Sequence, residues 1–358
     1  MKQQLISTLR DLTALHAPPG FEQPVVRYLR AAFAPLCDSI DVDSTGNLYA
    51  VKHGRAEHPR FMISAHSDEL GGIVKSILPG GFLKISALGG VLDALALGRK
   101  VWVNGHLGVI GVKSGHLQSP DERGRVTPLD ALYVDVGASS AEDVARLGIR
   151  IGDPWVWLSE LEQMTNADRL VGKAIDNRIS CAVLLQVLRE LKGVQLDGTL
   201  IALVAVQEEV GLRGAKVAAE HARPDYAVVV DTFMSGDTPD VDYYREMPVG
   251  IGKGPVALLA TTGHIANSGV VRMMEDAAGR AGVALQRATV IGKANTDATA
   301  IHLAGEGIPT AGLGLCRRYS HSPVETMDIN DAVDAVKTLV GMAKAMGSAE
   351  EIIAGVWA

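Results

Sequence analysis

The sequence is poor in cysteine, and the cysteines that it has form no cluster. Three occur among 358 residues, an odd number, and none belongs to a C-x-x-C pair. This usage excludes a cysteine-based zinc cluster and is typical of a protein from a reducing compartment. We therefore expect a protein of the reducing cytosol, in which any metal site uses other residue types.

Segments that would direct the chain to a membrane are also lacking. The first 16 residues alternate apolar and charged side chains, which predicts an amphipathic helix without the apolar centre of a signal peptide. Elsewhere no apolar stretch reaches the length of a membrane span without a glycine or a charge. These patterns predict a soluble, cytoplasmic protein with no membrane partner.

An excess of basic charge is also lacking. The net charge is −7, and no run of lysine and arginine occurs. This balance argues against nucleic acid or an anionic membrane surface as a partner. Hydrophobic residues make up 47% of the chain, enough for a sizeable core, and 358 residues suit two domains better than one.

Two textures divide the chain. Residues 1–68 and 163–358 alternate near-continuous apolar runs with helical patterns, which predicts an α/β domain with a mostly parallel central sheet and helices on both faces. The candidate strands are Phe61–Ala65, Leu200–Val206, Ala227–Val230 and Thr310–Leu315. The candidate helices are Arg178–Leu191, Ser268–Ala281 and Ile329–Met346.

Residues 69–162 differ from the rest of the chain. They contain glycine pairs at 71–72, 80–81 and 89–90, short strand-like runs, and a single modest helical pattern at Ser140–Leu147. This texture predicts a small β-rich domain inserted into the α/β domain. Because it has too little helix and too small a core for an independent enzyme, we predict that the insert makes contacts between subunits.

Five residues with metal-binding side chains lie where candidate strands end or a helix begins. His66 follows the first candidate strand, Glu209 the second and Asp231 the third. His321 comes shortly after the fourth, and Asp176 opens a helix. Ligands of open α/β sheets bind outside the carboxyl ends of the strands, so we expect these side chains to converge. Two histidines and three carboxylates suit zinc, cobalt or manganese, and they suffice for two ions with one bridging carboxylate.

Each of these residues also has a purely structural interpretation. Asp176 could cap its helix, Glu209 and Asp231 could be turn residues, and the histidines could be core groups. No H-x-x-H or H-E-x-x-H pattern occurs, so the spacing along the chain is not diagnostic. The hypothesis of a metal site depends on the recurrence of such residues at strand ends and at a helix start.

Two further acids suggest catalytic chemistry. Glu208 and Glu209 end an apolar strand together, which is costly unless each has a function. One of them can bind metal while its neighbour accepts a proton from a metal-activated water. Asp68, two residues after His66, is placed to orient that imidazole, although an ordinary loop acid would give the same pattern.

Several motifs occur in a fixed order over essentially the whole chain. They are His66-Ser-Asp-Glu69, Gly172-Lys-Ala-Ile-Asp-Asn-Arg178, Gln207-Glu-Glu-Val-Gly-Leu-Arg-Gly214, Thr296-Asp-Ala298 and Arg318-Tyr-Ser-His-Ser-Pro-Val-Glu325. Together they resemble the motifs of the TET-type dinuclear metallo-aminopeptidases. That family includes glutamyl and deblocking aminopeptidases, and some of its members have been labelled endoglucanases.

The resemblance implies a phosphorylase/hydrolase-like α/β catalytic domain, an inserted β-barrel dimerisation domain and assembly into a homododecamer. It implies removal of N-terminal residues from short peptides by a metal-activated water, with Glu208 as the general base. Matching positions divide the ligands of the paired metals as follows: His66 and Asp231 for one ion, Glu209 and His321 for the other, and Asp176 between them.

The sequence departs from the family pattern at two places. Ser67 stands where methionine is common, and Ala294-Asn295 stand where a glycine pair is common. Neither departure changes a proposed ligand. The second lies close to the implied substrate pocket, so the preferred N-terminal residue of the substrate is left open.

Other functions are weighed against the same residues. Serine or cysteine nucleophilic catalysis is disfavoured, because no G-x-S-x-G occurs and Cys181 lies in an apolar helical pattern. A glycoside hydrolase is disfavoured because the adjacent Glu208 and Glu209 do not suit the two sides of a sugar bond, although Asp68 with Glu208 stays open. A metallo-carboxypeptidase or deacylase would use a similar ligand set. A catalytically silent assembly subunit would have no need of Glu208.

Overall fold

The computed structural model describes residues 1–348 and 350–352. Short 3₁₀ turns occur at Ala34–Leu36, Gly115–Leu117 and Leu129–Ala131. None of the described helices is long and apolar enough to cross a membrane. Over the described residues the α-helices are α1 (Lys2–Ala14), α2 (Gln23–Phe33), α3 (Asp93–Ala96), α4 (Pro120–Arg123), α5 (Ala141–Arg146), α6 (Ile175–Glu190), α7 (Arg213–Ala222), α8 (Tyr243–Glu246), α9 (Ser268–Arg280), α10 (Ala298–Ile301) and α11 (Ile329–Lys344).

The strands form an open sheet and a closed barrel. They are β1 (Ser39–Val42), β2 (Leu48–Lys52), β3 (Arg60–His66), β4 (Gly71–Ile77), β5 (Leu83–Leu88), β6 (Lys100–Val103), β7 (His106–Gly111), β8 (Tyr133–Asp135), β9 (Pro154–Trp157), β10 (Glu162–Gln163), β11 (Arg169–Gly172), β12 (Thr199–Ala205), β13 (Tyr226–Met234), β14 (Val256–Thr261), β15 (Gln286–Val290), β16 (Thr310–Arg318) and β17 (Glu325–Asp328).

The open sheet has the strand order β1-β2-β12-β3-β13-β16-β17-β11-β10, with β14 paired to β16 and β15 paired to β14. Its four central strands, β12, β3, β13 and β16, pair in parallel. The outer strands β2, β17, β11 and β10 join antiparallel. The predicted α/β fold with helices on both faces is confirmed, and the sheet is mixed: its four central strands are parallel, as expected where helical crossovers connect strands, and β14 and β15 form a further parallel pair.

The centre of the sheet is buried on both faces. Alternate residues of β12 enter opposite layers: Leu200 and Val204 pack in the core that α1, α2, α6, α9 and α11 share. Ile201 and Leu203 instead pack against α7 and α10. Burying each large aliphatic side chain stabilises the fold by about 1.5–3 kcal/mol. The unbroken apolar run of the sequence therefore reflects a strand covered on two sides.

The barrel has the strand order β4-β5-β8-β7-β6-β9 and encloses its own apolar core. Its strands lie between Gly71 and Trp157, inside the predicted insert. A Cβ at Gly72 would lie 2.0 Å from the carbonyl oxygen of Ser86 and 2.3 Å from Nε1 of Trp155, so this backbone approach requires glycine. The domain limits 1–68, 69–162 and 163–358, and the dimerisation role of the insert, stay predictions.

Two details of the predicted elements are wrong. The single helical pattern expected in the insert corresponds to α5, but α3 and α4 also form there. Four residues are too few for a helical periodicity to show in a sequence. Asp231 was expected just after a strand, whereas β13 continues to Met234 because its pairing with β16 extends from Ala227 to that residue. The apolar run marks only the buried part of this strand.

Candidate metal centre

The predicted ligands meet at one edge of the open sheet. His66 is the last residue of β3, Asp231 lies in the second half of β13, and Glu209 follows β12. Because these strands and β16 are parallel neighbours, their carboxyl ends lie side by side. A cavity of about 510 Å³ opens there. Among its lining residues are His66, Asp176, Glu208, Glu209, Asp231 and His321.

Asp176 lies between the two histidines. Its Oδ1 is 3.3 Å from Nε2 of His66, and its Oδ2 is 3.5 Å from Nε2 of His321. The backbone of Asp176 and Asn177 departs from helical geometry although α6 begins at Ile175. The side-chain amide of Asn177 donates to the carbonyl of Val230 in β13 at 3.0 Å. This irregular first turn places the carboxylate over the strand ends.

Each histidine also faces a second carboxylate. Nε2 of His66 is 3.6 Å from Oδ1 of Asp231, and Nε2 of His321 is 3.8 Å from Oε1 of Glu209. The potential ligand atoms form two groups of three, and within each group all three atoms lie within 4.8 Å of one another. The first comprises His66, Asp176 and Glu209, and the second comprises His66, Glu208 and Asp231.

Asp68 is buried behind His66. Its Oδ1 is 3.4 Å from Nδ1 of the imidazole, on the side away from the cavity. The same carboxylate accepts hydrogen bonds from the backbone N–H groups of Glu208, at 3.1 Å, and Glu209, at 3.0 Å. Asp68 therefore contacts both the histidine and the acidic doublet, and its role as an orienting group stays a prediction.

The pKa values of His66 and Asp176 are shifted in opposite directions. Burial alone would lower the pKa of His66, but the carboxylates of Glu208, Asp176 and Asp231 outweigh it and raise that pKa well above its ordinary value. Burial would raise the pKa of Asp176. The Arg317 guanidinium and both histidines nevertheless hold the pKa of Asp176 well below its usual range. Asp176 is therefore ionised and surrounded by cationic partners.

Three further acids have raised pKa values. Burial, and then the carboxylate of Asp176, raise the pKa of Glu209 to about 8. Burial, with the neighbouring carboxylates of Glu209 and Asp231, raises the pKa of Glu208 well above its ordinary value. Burial and the carboxylate of Asp231 raise the pKa of Asp297 to about 8. So many acids in one buried space favour the binding of additional positive charge.

The donor set fits divalent cations. The buried oxygens Oδ1 of Asp176 and Oε1 of Glu209 have no hydrogen-bond partner within the described part of the chain. Buried carboxylate oxygens of this kind are costly unless a cation or a donor satisfies them. Imidazole nitrogen together with carboxylate oxygen is the mixture that zinc, cobalt and manganese accept. The residues of the site therefore fit such ions.

The sequence also matches a known peptidase family, described as M42 glutamyl aminopeptidase, over residues 46–338. The chain belongs to this family. The glutamyl aminopeptidase of Lactococcus lactis subsp. cremoris is 34% identical over 339 residues, covering 93% of this chain and 94% of the relative. The prediction from the motifs is confirmed, and the chain is an aminopeptidase, a peptide hydrolase.

Solved structures of family members have the same fold. The TET aminopeptidase of Thaumarchaeota archaeon SCGC AB-539-E09 superposes with a TM-score of 0.94 at 30% identity, covering 98% of this chain and 99% of that one. The TET1 peptidase of Pyrococcus horikoshii, which can assemble into a tetrahedron or a large octahedral shell, gives a TM-score of 0.85 at 30% identity. That alignment covers 95% of this chain and 99% of the other. The superpositions therefore cover both the open sheet and the barrel.

Sequence reasoning missed two residues of this aminopeptidase that hold Asp176 in place. The guanidinium of Arg317 donates to Oδ2 of Asp176 and, at 3.0 Å, to Oε1 of Glu325. Glu325 also accepts the backbone N–H groups of Asp176, at 2.9 Å, and His321, at 3.0 Å. Glu325 could have been noticed because it closes the motif that contains His321. Arg317 carries no such signal.

A buried ionic network joins the loops that carry His66 and Asp176. Glu69, three residues after His66, accepts from Nζ of Lys173 at 2.6 Å and from Nη2 of Arg178 at 3.3 Å. Nε of Arg178 donates to the carbonyl of Ser67 at 2.7 Å. Breaking a buried pair of this kind by removing one partner costs about 3–5 kcal/mol. The network fixes the two loops relative to one another.

Proposed function

We propose that this aminopeptidase removes N-terminal residues from short peptides with the help of two divalent cations. The observation that carries the proposal is the position of Asp176, whose two oxygens face two different histidines. Each histidine has one further carboxylate of its own. The proposed ligands are His66 and Asp231 for one ion and Glu209 and His321 for the other, with Asp176 shared.

When bound, the cations would lower the pKa of water and polarise the carbonyl of the first peptide bond. Glu208 would accept the proton of the attacking water and return it to the leaving amine. Its buried position lining the cavity, with Oε2 3.9 Å from Nε2 of His66, places it beside the reacting groups. Bound cations would offset the burial and the neighbouring carboxylates that raise the pKa of Glu208, and so favour the ionised form that accepts a proton.

We propose zinc or cobalt as the cations, with manganese as a further possibility. Two imidazoles favour these borderline ions over magnesium or calcium, which prefer oxygen alone. Asp68 would fix the imidazole of His66 through Nδ1, leaving Nε2 for the ion. Metal analysis of the protein as purified, followed by reconstitution with each ion, decides among the three.

The proposed reaction requires a free α-amino group at the substrate's first residue. We expect aminoacyl chromogenic amides and short peptides to be hydrolysed, and their N-acetylated counterparts to be hydrolysed at least about 100-fold more slowly, since the loss of an interaction made by a buried polar site lowers kcat/KM strongly. Mass spectrometry of a peptide digest should show residues leaving one at a time from the N-terminus.

Two outcomes of this experiment contradict the proposal in different ways. Removal of residues from the C-terminus would identify a metallo-carboxypeptidase that uses the same ligand set. Release of acetate from the N-acetylated peptides, with the peptide bonds intact, would identify a deacylase. The matched pair of each peptide with and without the acetyl group is the internal control.

We also propose that the barrel supports assembly into a homododecamer. On β7 the outward positions Leu107 and Val109 are apolar, although their side chains are 60% and 41% exposed. Trp102 of β6 lies directly opposite Leu107 in the register. An apolar outer face on a barrel is typical of a surface that another subunit covers. The shell-forming TET1 peptidase described above supports the same assignment.

Charges on this face should break the assembly. Light scattering of the native protein should give a mass of about twelve chains, and the double variant Leu107→Glu/Val109→Glu should give a much smaller species because burying two charges at an interface is costly. Ile265→Glu, at a still more exposed apolar position outside the barrel (79%), is the control. A monodisperse, fully active native monomer would refute the proposal. If only the Ile265→Glu variant dissociates, the interface lies on the α/β domain and not on the barrel.

A further inference from the structure

In the segment that delivers Glu208 and Glu209, the backbone N–H groups are held by side chains and not by a neighbouring strand, while the carbonyls of residues 206–208 accept backbone N–H groups of residues 211–214. Four consecutive backbone N–H groups donate to three side chains from distant parts of the sequence. The pairs are Val206 to Oδ1 of Asn47 at 3.1 Å, Gln207 to Oε1 of Glu22 at 3.0 Å, Glu208 to Oδ1 of Asp68 at 3.1 Å and Glu209 to Oδ2 of Asp68 at 3.0 Å.

This arrangement solves a geometric problem of the site. Successive side chains of a strand face opposite sides of the sheet, so a continued β12 would direct Glu208 and Glu209 away from one another. Both line the cavity. The chain achieves this by leaving the strand after Ala205 and adopting a φ of +55° at Gln207. A left-handed conformation is unfavourable for a residue with a side chain and persists only where the surroundings hold it.

Glu22 holds the left-handed residue itself. It is buried, with 4% of its surface exposed, and its Oε1 accepts the N–H of Gln207 together with that of Gly20 at 2.9 Å. Asn47 holds the preceding residue and is also tied to Gly214 and Asp43, so it is part of a larger structural network. Of these contacts, the one from Glu22 acts most directly on the turn into the acidic doublet.

We propose that Glu22 is a positioning residue for Glu208, acting through the backbone of Gln207 without touching the substrate. The inference rests on the proposed role of Glu208 as general base. Without this acceptor, the N–H of Gln207 is left unsatisfied, and the left-handed residue loses the side chain that holds its N–H, although its carbonyl keeps the N–H of Arg213. Glu208 then moves away from the position at which it accepts the proton.

A glutamine at position 22 separates hydrogen bonding from charge. Glu22→Gln keeps the oxygen that accepts from Gln207, whereas Glu22→Ala removes it. Burial, and then the carboxylate of Asp68, raise the pKa of Glu22 to about 7, so an uncharged side chain suits this environment. We therefore expect the glutamine variant to keep native kcat.

Glu22→Ala should lower kcat about 10- to 100-fold, in the range that small misplacements of catalytic groups produce, while KM and metal content stay within twofold of native. In a Glu208→Gln background the same substitution should cause no further loss, because a residue that acts through Glu208 has nothing left to position. Should the alanine variant fail to fold, Glu22→Asp takes its place in both comparisons. The aspartate side chain is one methylene shorter, so its oxygen no longer reaches the N–H of Gln207.

Asp331 supplies a matched control. It is a buried carboxylate that accepts the N–H groups of Gly252, at 2.7 Å, and Gly254, at 2.8 Å, in a turn that contributes nothing to the cavity. Asp331→Ala should lower the melting temperature without changing kcat. If Asp331→Ala keeps its kcat while Glu22→Ala loses it, the loss in Glu22→Ala comes from the misplacement of Glu208 and not from a general loss of stability.

Three results distinguish the failures. Native kcat in Glu22→Ala, with activity lost in Glu208→Gln, overturns the positioning role alone. An equal loss from Glu22→Ala in the native and Glu208→Gln backgrounds shows that Glu22 acts independently of the base and also overturns it. Native activity in Glu208→Gln instead overturns the proposed function.

Discussion

Replacing Glu208 with glutamine should lower kcat by about 10²–10⁴-fold, the range that general acid–base catalysis contributes, while the bound cations stay in place. The amide keeps the size of the side chain but accepts no proton from the attacking water. KM should change little because the cavity is unaltered. Steady-state kinetics together with elemental analysis of the purified variant measure both quantities.

The neighbouring Glu209→Gln is the matched control, since the same chemical change falls on the adjacent side chain. Glu209 faces His321 and is proposed to bind metal, so its neutral amide should reduce the metal content towards one ion per chain. Excess metal should restore part of the activity. If Glu208→Gln loses metal and Glu209→Gln keeps both ions, the two roles are reversed. Near-native activity in both variants would make the doublet structural.

Exhaustive chelation should abolish hydrolysis, and zinc, cobalt or manganese should restore it. Every proposed ligand is at least partly buried in one cavity, and the unpartnered oxygens of Asp176 and Glu209 have no substitute donor among the described residues. An ion present at 100 times its dissociation constant stabilises the folded protein by about 2.7 kcal/mol, so the melting temperature should fall as well. Activity and melting curves before and after reconstitution measure both effects.

Full activity in a sample shown by elemental analysis to contain no metal would contradict the mechanism. A sample dialysed in parallel without chelator controls for losses on handling. A fall in melting temperature with unchanged activity would mean that the ions serve the structure alone. A loss of activity that no ion restores would point to damage of the fold, which circular dichroism detects.

The sequence by itself determined the architecture and the location of the site. Near-continuous apolar runs such as Leu200–Val206 indicate strands that are buried on both faces. The sequence shows this because the spacing of apolar residues along an element follows which of its faces are buried. Parallel strands that end side by side then bring His66, Glu209 and Asp231 to one edge. The order of the motifs was enough to identify the peptidase family.

Tertiary structure decided the contacts within the site. Asp176 was predicted to be a ligand, but its local pattern also suits a helix cap. The irregular first turn of α6 directs its two oxygens to His66 and His321. Arg317 lies 141 residues from Asp176 in the chain and yet donates to it. Nothing in the local pattern of either residue predicts the pair, because it depends on how the end of β16 meets the first turn of α6.

The turn into the acidic doublet shows the same limit. The sequence identified Glu208 and Glu209 as an unusual pair of acids, but not how two neighbours reach one cavity. That depends on the left-handed Gln207 and on Glu22, which lies 185 residues away. Periodicity reports which side of an element is buried. The direction of a single side chain at the end of a strand is set by acceptors from remote segments, which only the folded chain brings together.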